Sequence, residues 1–149
     1  MEQLFGIKVE ASREVTYQID LALRRIYCRA PDDLAVIQAQ LGRIVEASSS
    51  AVKPDEVPPT FYASARVLLY SLSWCASSIF HDACHARLYR DHEAGFGRPV
   101  PGGVWTGVEV ELYCIQRQID LSRRILAPAR EVRYLQSLNG RHATGIRNW

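Results

Sequence analysis

The residues with the clearest chemical potential are two histidines, His81 and His85, four positions apart in a segment that reads as a helix. Residues four apart on a helix project from one face, one turn apart, so both imidazoles can reach the same metal ion. Zinc binds neutral imidazole, and a tetrahedral catalytic site takes three protein ligands and leaves one position for water. Asp82 follows the first histidine, where a carboxylate can act as a general base. The segment therefore predicts half of a zinc site with an acid beside it.

A third zinc ligand must come from another element, and the next predicted helix offers two acids, Glu109 and Glu111. Glu111, Cys114 and Gln118 fall on one face of that helix. A face of this composition is unusual unless it meets something polar, so we favour Glu111 and keep Glu109 as the second choice. Both acids also suit the first turn of any helix, where they stabilise the positive end of its dipole. Other possible donors or substrate-side groups are Tyr89, His92, Glu93 and His142.

The elements that must position these residues follow from hydrophobic spacing and from proline and glycine. We expect a first strand over 4–9, helices over 13–29 and 34–45, part of a strand within 61–72, and helices over 74–89, 108–126 and 131–138. Residues 67–72 could equally begin a helix. Loops are expected over 53–60 and 94–106. This order predicts one helix-rich α+β domain over residues 1–149, with a small β-sheet and an active-site helix.

Composition and charge exclude several classes of protein. The chain has 149 residues, of which 48% are hydrophobic and 23% charged, and this is typical of globular domains. A net charge of +2 argues against a nucleic-acid partner, and no stretch approaches the roughly 20 apolar residues that span a bilayer. Four cysteines without CxxC spacing, and no visible signal peptide, lead us to expect reduced thiols in a cytoplasmic protein.

The strand-then-helix approach to His81-Asp82-x-x-His85, followed by a loop and a glutamate-bearing helix, resembles the zincin metallopeptidase-like superfamily, in particular its gluzincin branch. The likeness covers residues 61–126. It implies a zinc ion held by His81, His85 and Glu111, a peptide or protein substrate, and Asp82 as the general base. The family pattern is HExxH, so this chain has HDxxH, with a carboxylate one methylene shorter. Proton transfer depends on hydrogen-bond reach, so this departure bears on activity more than on metal binding.

Three functions are compatible with these features of the sequence. The first is a zinc-dependent hydrolase of the peptidase type, in which Asp82 takes a proton from the attacking water. The second is a catalytically inactive zincin-like protein that binds or regulates a partner. The third is a helical interaction domain in which the two histidines have no metal to bind.

Overall fold

Residues 1–141, which this computed structural model describes, form five strands and seven helices. The strands are β1 (Glu2–Leu4), β2 (Ile7–Glu10), β3 (Arg43–Glu46), β4 (Ala51–Lys53) and β5 (Thr60–Ala63). The helices are α1 (Arg13–Arg29), α2 (Pro31–Gln40), α3 (Ala65–Leu68), α4 (Leu72–Phe96), α5 (Gly102–Trp105), α6 (Val108–Arg124) and α7 (Ala129–Ser137). The predicted class, a helix-rich α+β fold with a small sheet, is confirmed. His142 lies outside the described residues.

The five strands form one mixed sheet in the order β1-β2-β3-β5-β4. Strands β2, β3 and β5 are parallel, and an antiparallel strand pairs at each edge. Phe5 and Gly6 join β1 to β2 with positive φ angles of 52° and 84°, as both central residues of a type I′ turn require. The expected first strand is therefore a two-stranded hairpin. Helix α4 packs against this sheet and against α1, α2 and α6.

The first helix has the bounds that its hydrophobic spacing predicts. The side chain of Ser12 caps its N-terminus by accepting a hydrogen bond from the Val15 amide. Val15, Ile19, Leu23 and Ile26 lie on one face and are fully buried. Burial of that apolar face holds α1 against α4 and the sheet, because propensity alone stabilises a helix of this length only weakly.

The second predicted helix is wrong in its C-terminal part. Helix α2 ends at Gln40, and Ile44 and Val45 belong to strand β3. Gly42 marks the change, since a Cβ atom there would overlap the Cβ of Pro58. This close approach brings the chain alongside β5, where Ile44 enters the core from the sheet. The apolar residues that suggested one continuous helix therefore belong to a helix, α2, followed by a strand, β3.

Three other boundaries differ from the prediction. Strand β4 was not predicted, and only its last residue, Lys53, falls in the expected loop over 53–60. The strand predicted within 61–72 ends at Ala63, where the Ser64 side chain caps α3. Helix α4 extends well beyond the predicted range of 74–89. It ends at Phe96, and the next residue, Gly97, caps it with a φ of +77° that few other residues adopt. The predicted loop over 94–106 therefore begins inside α4 and contains α5.

The hydrophobic core lies between the sheet and the helices α1, α2, α4 and α6. Ile79, Phe80 and Ala83 of α4 are fully buried in it. A smaller apolar cluster joins the start of α4 to α6 and α7 through Trp74, Ile115, Ile119 and Leu135, with Val67 beside it. None of the helices within residues 1–141 has both the length and the apolar character needed to cross a bilayer.

Candidate metal centre

The central helix α4 is anchored at its N-terminus by a buried polar cluster. Ser71 accepts a hydrogen bond from the Trp74 amide and so caps the helix. The hydroxyls of Ser71 and Ser73 donate to the two carboxylate oxygens of Glu131 on α7, at 2.9 and 2.6 Å. Most residues of the first half of α4 are buried whichever way they point, as expected of a helix packed on several sides. These contacts hold the helix that carries both histidines in a fixed position.

His81, His85 and Glu111 meet at the contact between α4 and α6. The Nε2 atom of His81 lies 2.6 Å from Oε1 of Glu111, and Nε2 of His85 lies 3.0 Å from Oε2 of the same carboxylate. The two Nε2 atoms are 3.1 Å apart. All three side chains are buried, with 1%, 2% and 2% of their surface exposed. One ligand atom of each residue therefore points to a common centre.

The spacing of the two Nε2 atoms and the Glu111 carboxylate fits a small cation. In a tetrahedral zinc site with bonds of about 2.0–2.1 Å, neighbouring ligand atoms lie about 3.3 Å apart. The observed separations of 2.6, 3.0 and 3.1 Å are shorter, so the side chains must move apart by less than about 1 Å to take the ion. Two imidazoles and one carboxylate are also a donor set that catalytic zinc uses. The residues present therefore fit a zinc ion.

A backbone carbonyl sets the orientation of the second histidine. The Nδ1–H group of His85 donates to the carbonyl oxygen of Trp105, at 2.6 Å, at the end of the short helix α5. The Trp105 ring also packs edge-on against Tyr89, with centroids 5.6 Å apart. Because Nδ1 carries the proton, Nε2 is left as the atom that can bind a metal. The sequence predicted only that Trp105 lies in a loop. Its contact with His85 could not be predicted, because a backbone carbonyl is present in every residue type.

Burial and hydrogen bonding act differently on the two histidines. Burial lowers the pKa of His81, and its hydrogen bond to Glu111 opposes this only in part. Burial also acts to lower the pKa of His85, but the hydrogen bond to Glu111 and the charge of Asp82 together raise it above its ordinary value. The pKa values of the two imidazoles are therefore shifted in opposite directions, although both rings contact the same carboxylate. A metal ion binds deprotonated imidazole nitrogen, so metal binding competes with protonation of either ring.

Asp82, expected to be the general base, is a buried residue of α4 next to the ligand His81. Its side chain and that of His81 line the same small cavity. Its negative charge acts to raise the pKa of both histidines, so it contributes to the field of the candidate centre. The arrangement places a carboxylate close to the ligands without making it part of the ligand group.

Within residues 1–141, the other acids and the other histidine considered from the sequence lie apart from this cluster. Glu109 is exposed on α6, although it is only two residues from Glu111. His92 and Glu93 do not follow the end of α4, as expected, but belong to its last turns. Glu93 accepts a hydrogen bond from Arg98, and the ring of His92 packs beside Phe96. Helical continuation carries both residues away from the level of His85.

Comparison with known proteins adds no identification. No protein-family model, no curated protein and no solved structure matches this chain.

Proposed function

We propose that this protein binds one zinc ion through His81, His85 and Glu111. The observation that carries the proposal is the convergence of two Nε2 atoms and one carboxylate, from two different helices, on a buried centre. Three charged or titratable side chains are costly to bury together unless they are paired or coordinate a metal. The hydrogen bond from His85 to the Trp105 carbonyl also matches the way that ligating histidines are oriented in proteins.

A zinc-dependent hydrolase of the peptidase type is the activity that we assign to this centre as a candidate. It rests on the resemblance to gluzincins and on Asp82, which lies beside His81 in a shared cavity. A zinc ion with three protein ligands supplies a Lewis acid for hydrolysis. In this reaction Asp82 would accept the proton of the attacking water and pass it to the leaving group. A peptide would reach the ligand atoms only after the surrounding elements move, because all three ligands are buried.

The second candidate is a zinc-binding protein without turnover, which binds or regulates a partner on the same scaffold. The burial of the ligands and the aspartate in place of the family's glutamate favour it. A closed site holds its metal without offering it to a substrate. This candidate and the hydrolase share the metal centre and differ in whether a substrate reaches the metal and whether Asp82 works as a base.

Substitution of Asp82 separates the two candidates. Zinc content is measured first, in protein purified without a histidine tag, and hydrolysis is then followed with fluorescein-labelled casein. A hydrolase should lose activity in Asp82→Asn and keep or gain it in Asp82→Glu, which restores the family's side chain. Asp91→Asn is the matched control, because Asp91 is an exposed acid on the same helix. If no variant changes a measured activity, Asp82 is not the base, and absence of zinc from the wild type would refute the metal proposal.

We also infer a reducing compartment, in agreement with the expected cytoplasmic location. Within residues 1–141 none of the four cysteines forms a disulfide bond, and three of them are buried. Proteins of oxidising compartments commonly join such thiols in disulfides. The inference can be checked by thiol counting on protein isolated under conditions that block exchange, which should find four free thiols.

A further inference from the structure

A small cavity lies beside the candidate metal centre, where the middle of α4 faces α6. The space open to the centre of a water molecule is about 10 Å³. This is about the smallest volume that holds one water molecule, and it is too small for an organic ligand. The residues that line it are Ser50, Phe61, Val67, Ser78, His81, Asp82 and Gln118.

Two of the lining residues present buried polar atoms that need a partner. The hydroxyl oxygen of Ser78 and the side-chain oxygen of Gln118 make no hydrogen bond to any residue that the structure describes. Both side chains are more than nine-tenths buried. Buried polar side-chain atoms are hydrogen-bonded to protein or to ordered water in the large majority of cases. Two such atoms around one cavity point to an occupant that satisfies both.

The orientation of the Gln118 amide shows what that occupant must offer. The hydroxyl of Ser77 donates to the carbonyl of Trp74, at 3.4 Å, so its oxygen is left to accept a hydrogen bond. It accepts that bond from Nε2 of Gln118, at 3.1 Å. The amide nitrogen is thereby fixed toward Ser77, and Oε1 is the free end of the amide. The occupant must donate a proton to this oxygen.

We propose that this cavity is a binding site for a single water molecule, held by Gln118 and Ser78. Water can donate to Oε1 of Gln118 and either donate to or accept from the Ser78 hydroxyl. Asp82 also lines the cavity, and buried waters typically make about three hydrogen bonds. The site places a water molecule next to His81 and Asp82. Its place beside a metal ion rests on the proposed function, whereas the water itself depends only on Ser78 and Gln118.

The direct test is a crystal structure of the full chain after treatment with a chelator, at a resolution that shows ordered water. The proposal predicts one density peak within hydrogen-bonding distance of Gln118 Oε1 and Ser78 Oγ. Gln118→Met keeps the length of the side chain without the acceptor, and the peak should be lost. Gln116→Met is the matched control, because Gln116 is exposed on the same helix. No peak in the wild type, or a metal ion in its place, would overturn the proposal.

A stability measurement on Ser78→Ala gives an independent readout. If a water molecule bonds to the hydroxyl, alanine removes that bond, and the unfolding equilibrium constant should rise roughly two- to tenfold. If the cavity is dry, alanine removes an unsatisfied polar group, and the constant should stay the same or fall. The second result would overturn the proposal. Both experiments use zinc-free protein, so their outcome does not depend on whether the protein binds zinc. The water proposal and the zinc proposal can therefore fail separately.

Discussion

Zinc should stabilise the wild-type protein against heat, and Glu111→Gln should abolish this stabilisation. Glutamine keeps the size of the side chain but replaces a charged carboxylate with a neutral amide, a much weaker ligand for zinc. His81 and His85 remain in this variant, but two ligands do not complete a site that needs three. The stabilisation by zinc therefore reports on the third ligand.

The size of the effect follows from binding linkage. A ligand that binds only the folded state stabilises it by about 2.7 kcal/mol when its free concentration is 100 times the dissociation constant. For a chain of 149 residues, each kcal/mol shifts the melting temperature by about 2–4 °C. Zinc should therefore raise the melting temperature of the wild type by about 5–11 °C at that concentration.

The assay is thermal unfolding followed by circular dichroism, with each protein measured in chelator and in excess zinc. Glu109→Gln is the matched control, since Glu109 is an exposed acid on the same helix, two residues away. It should keep the full zinc shift. Glu111→Gln should also lower the stability of the zinc-free protein, because the carboxylate contacts both imidazoles. The quantity compared is therefore the difference between zinc and chelator within each variant.

Three outcomes would contradict this reasoning. A zinc shift that survives in Glu111→Gln would mean that the carboxylate is not a ligand. A wild type without any shift in excess zinc would mean that the buried cluster is a hydrogen-bonded group and not a metal centre. A shift lost equally in Glu109→Gln would point to a general effect of charge on α6.

Three further predictions concern the thiols, the anchored helix and the response to acid. Burial raises the pKa of the Cys84 thiol to about 12, so its thiolate fraction is on the order of a thousandfold below that of an ordinary thiol. A thiol reagent should therefore label the exposed Cys28 first in native protein, and equal labelling rates would contradict this. Ser71→Ala removes the cap of α4 and one partner of Glu131, and should reduce the free energy of unfolding by about 1–2 kcal/mol, as measured by urea denaturation. No change would show that the cap is not needed. The pKa of His85 is raised in the metal-free protein, so zinc must displace its proton. Zinc affinity measured by calorimetry should therefore fall by up to about tenfold per pH unit below that pKa, and an affinity independent of pH would contradict the assignment.

Much of the centre could be predicted because helical periodicity links spacing to direction. His81 and His85 stand four apart, and the apolar and small residues around them predict a buried helix, so their shared face follows without a structure. The polar face of α6 gave a second signal. Glu111, Cys114 and Gln118 are all buried, as the unusual composition of that face suggested.

Other features depend on tertiary contacts that spacing does not encode. The Trp105 carbonyl that orients His85 comes from the backbone, so any residue type could supply it. Ile44 continued an apparent helical pattern because a strand and a helix deliver apolar residues to the same core. The glycine at position 95 suggested a loop, but it is tolerated inside α4, since one glycine costs only about 1 kcal/mol relative to alanine.

The central claim, a zinc ion held by two histidines and one glutamate, is tested most directly by zinc X-ray absorption on untagged protein of known metal content. The account predicts about one zinc per chain, with only nitrogen and oxygen in the first shell at about 2.0–2.2 Å and outer scattering from two imidazoles. Glu109→Gln should give the same spectrum as the wild type. A chain without zinc would contradict the account, and so would a sulfur ligand at about 2.3 Å, which would place the metal on a cysteine such as Cys84 or Cys114 instead.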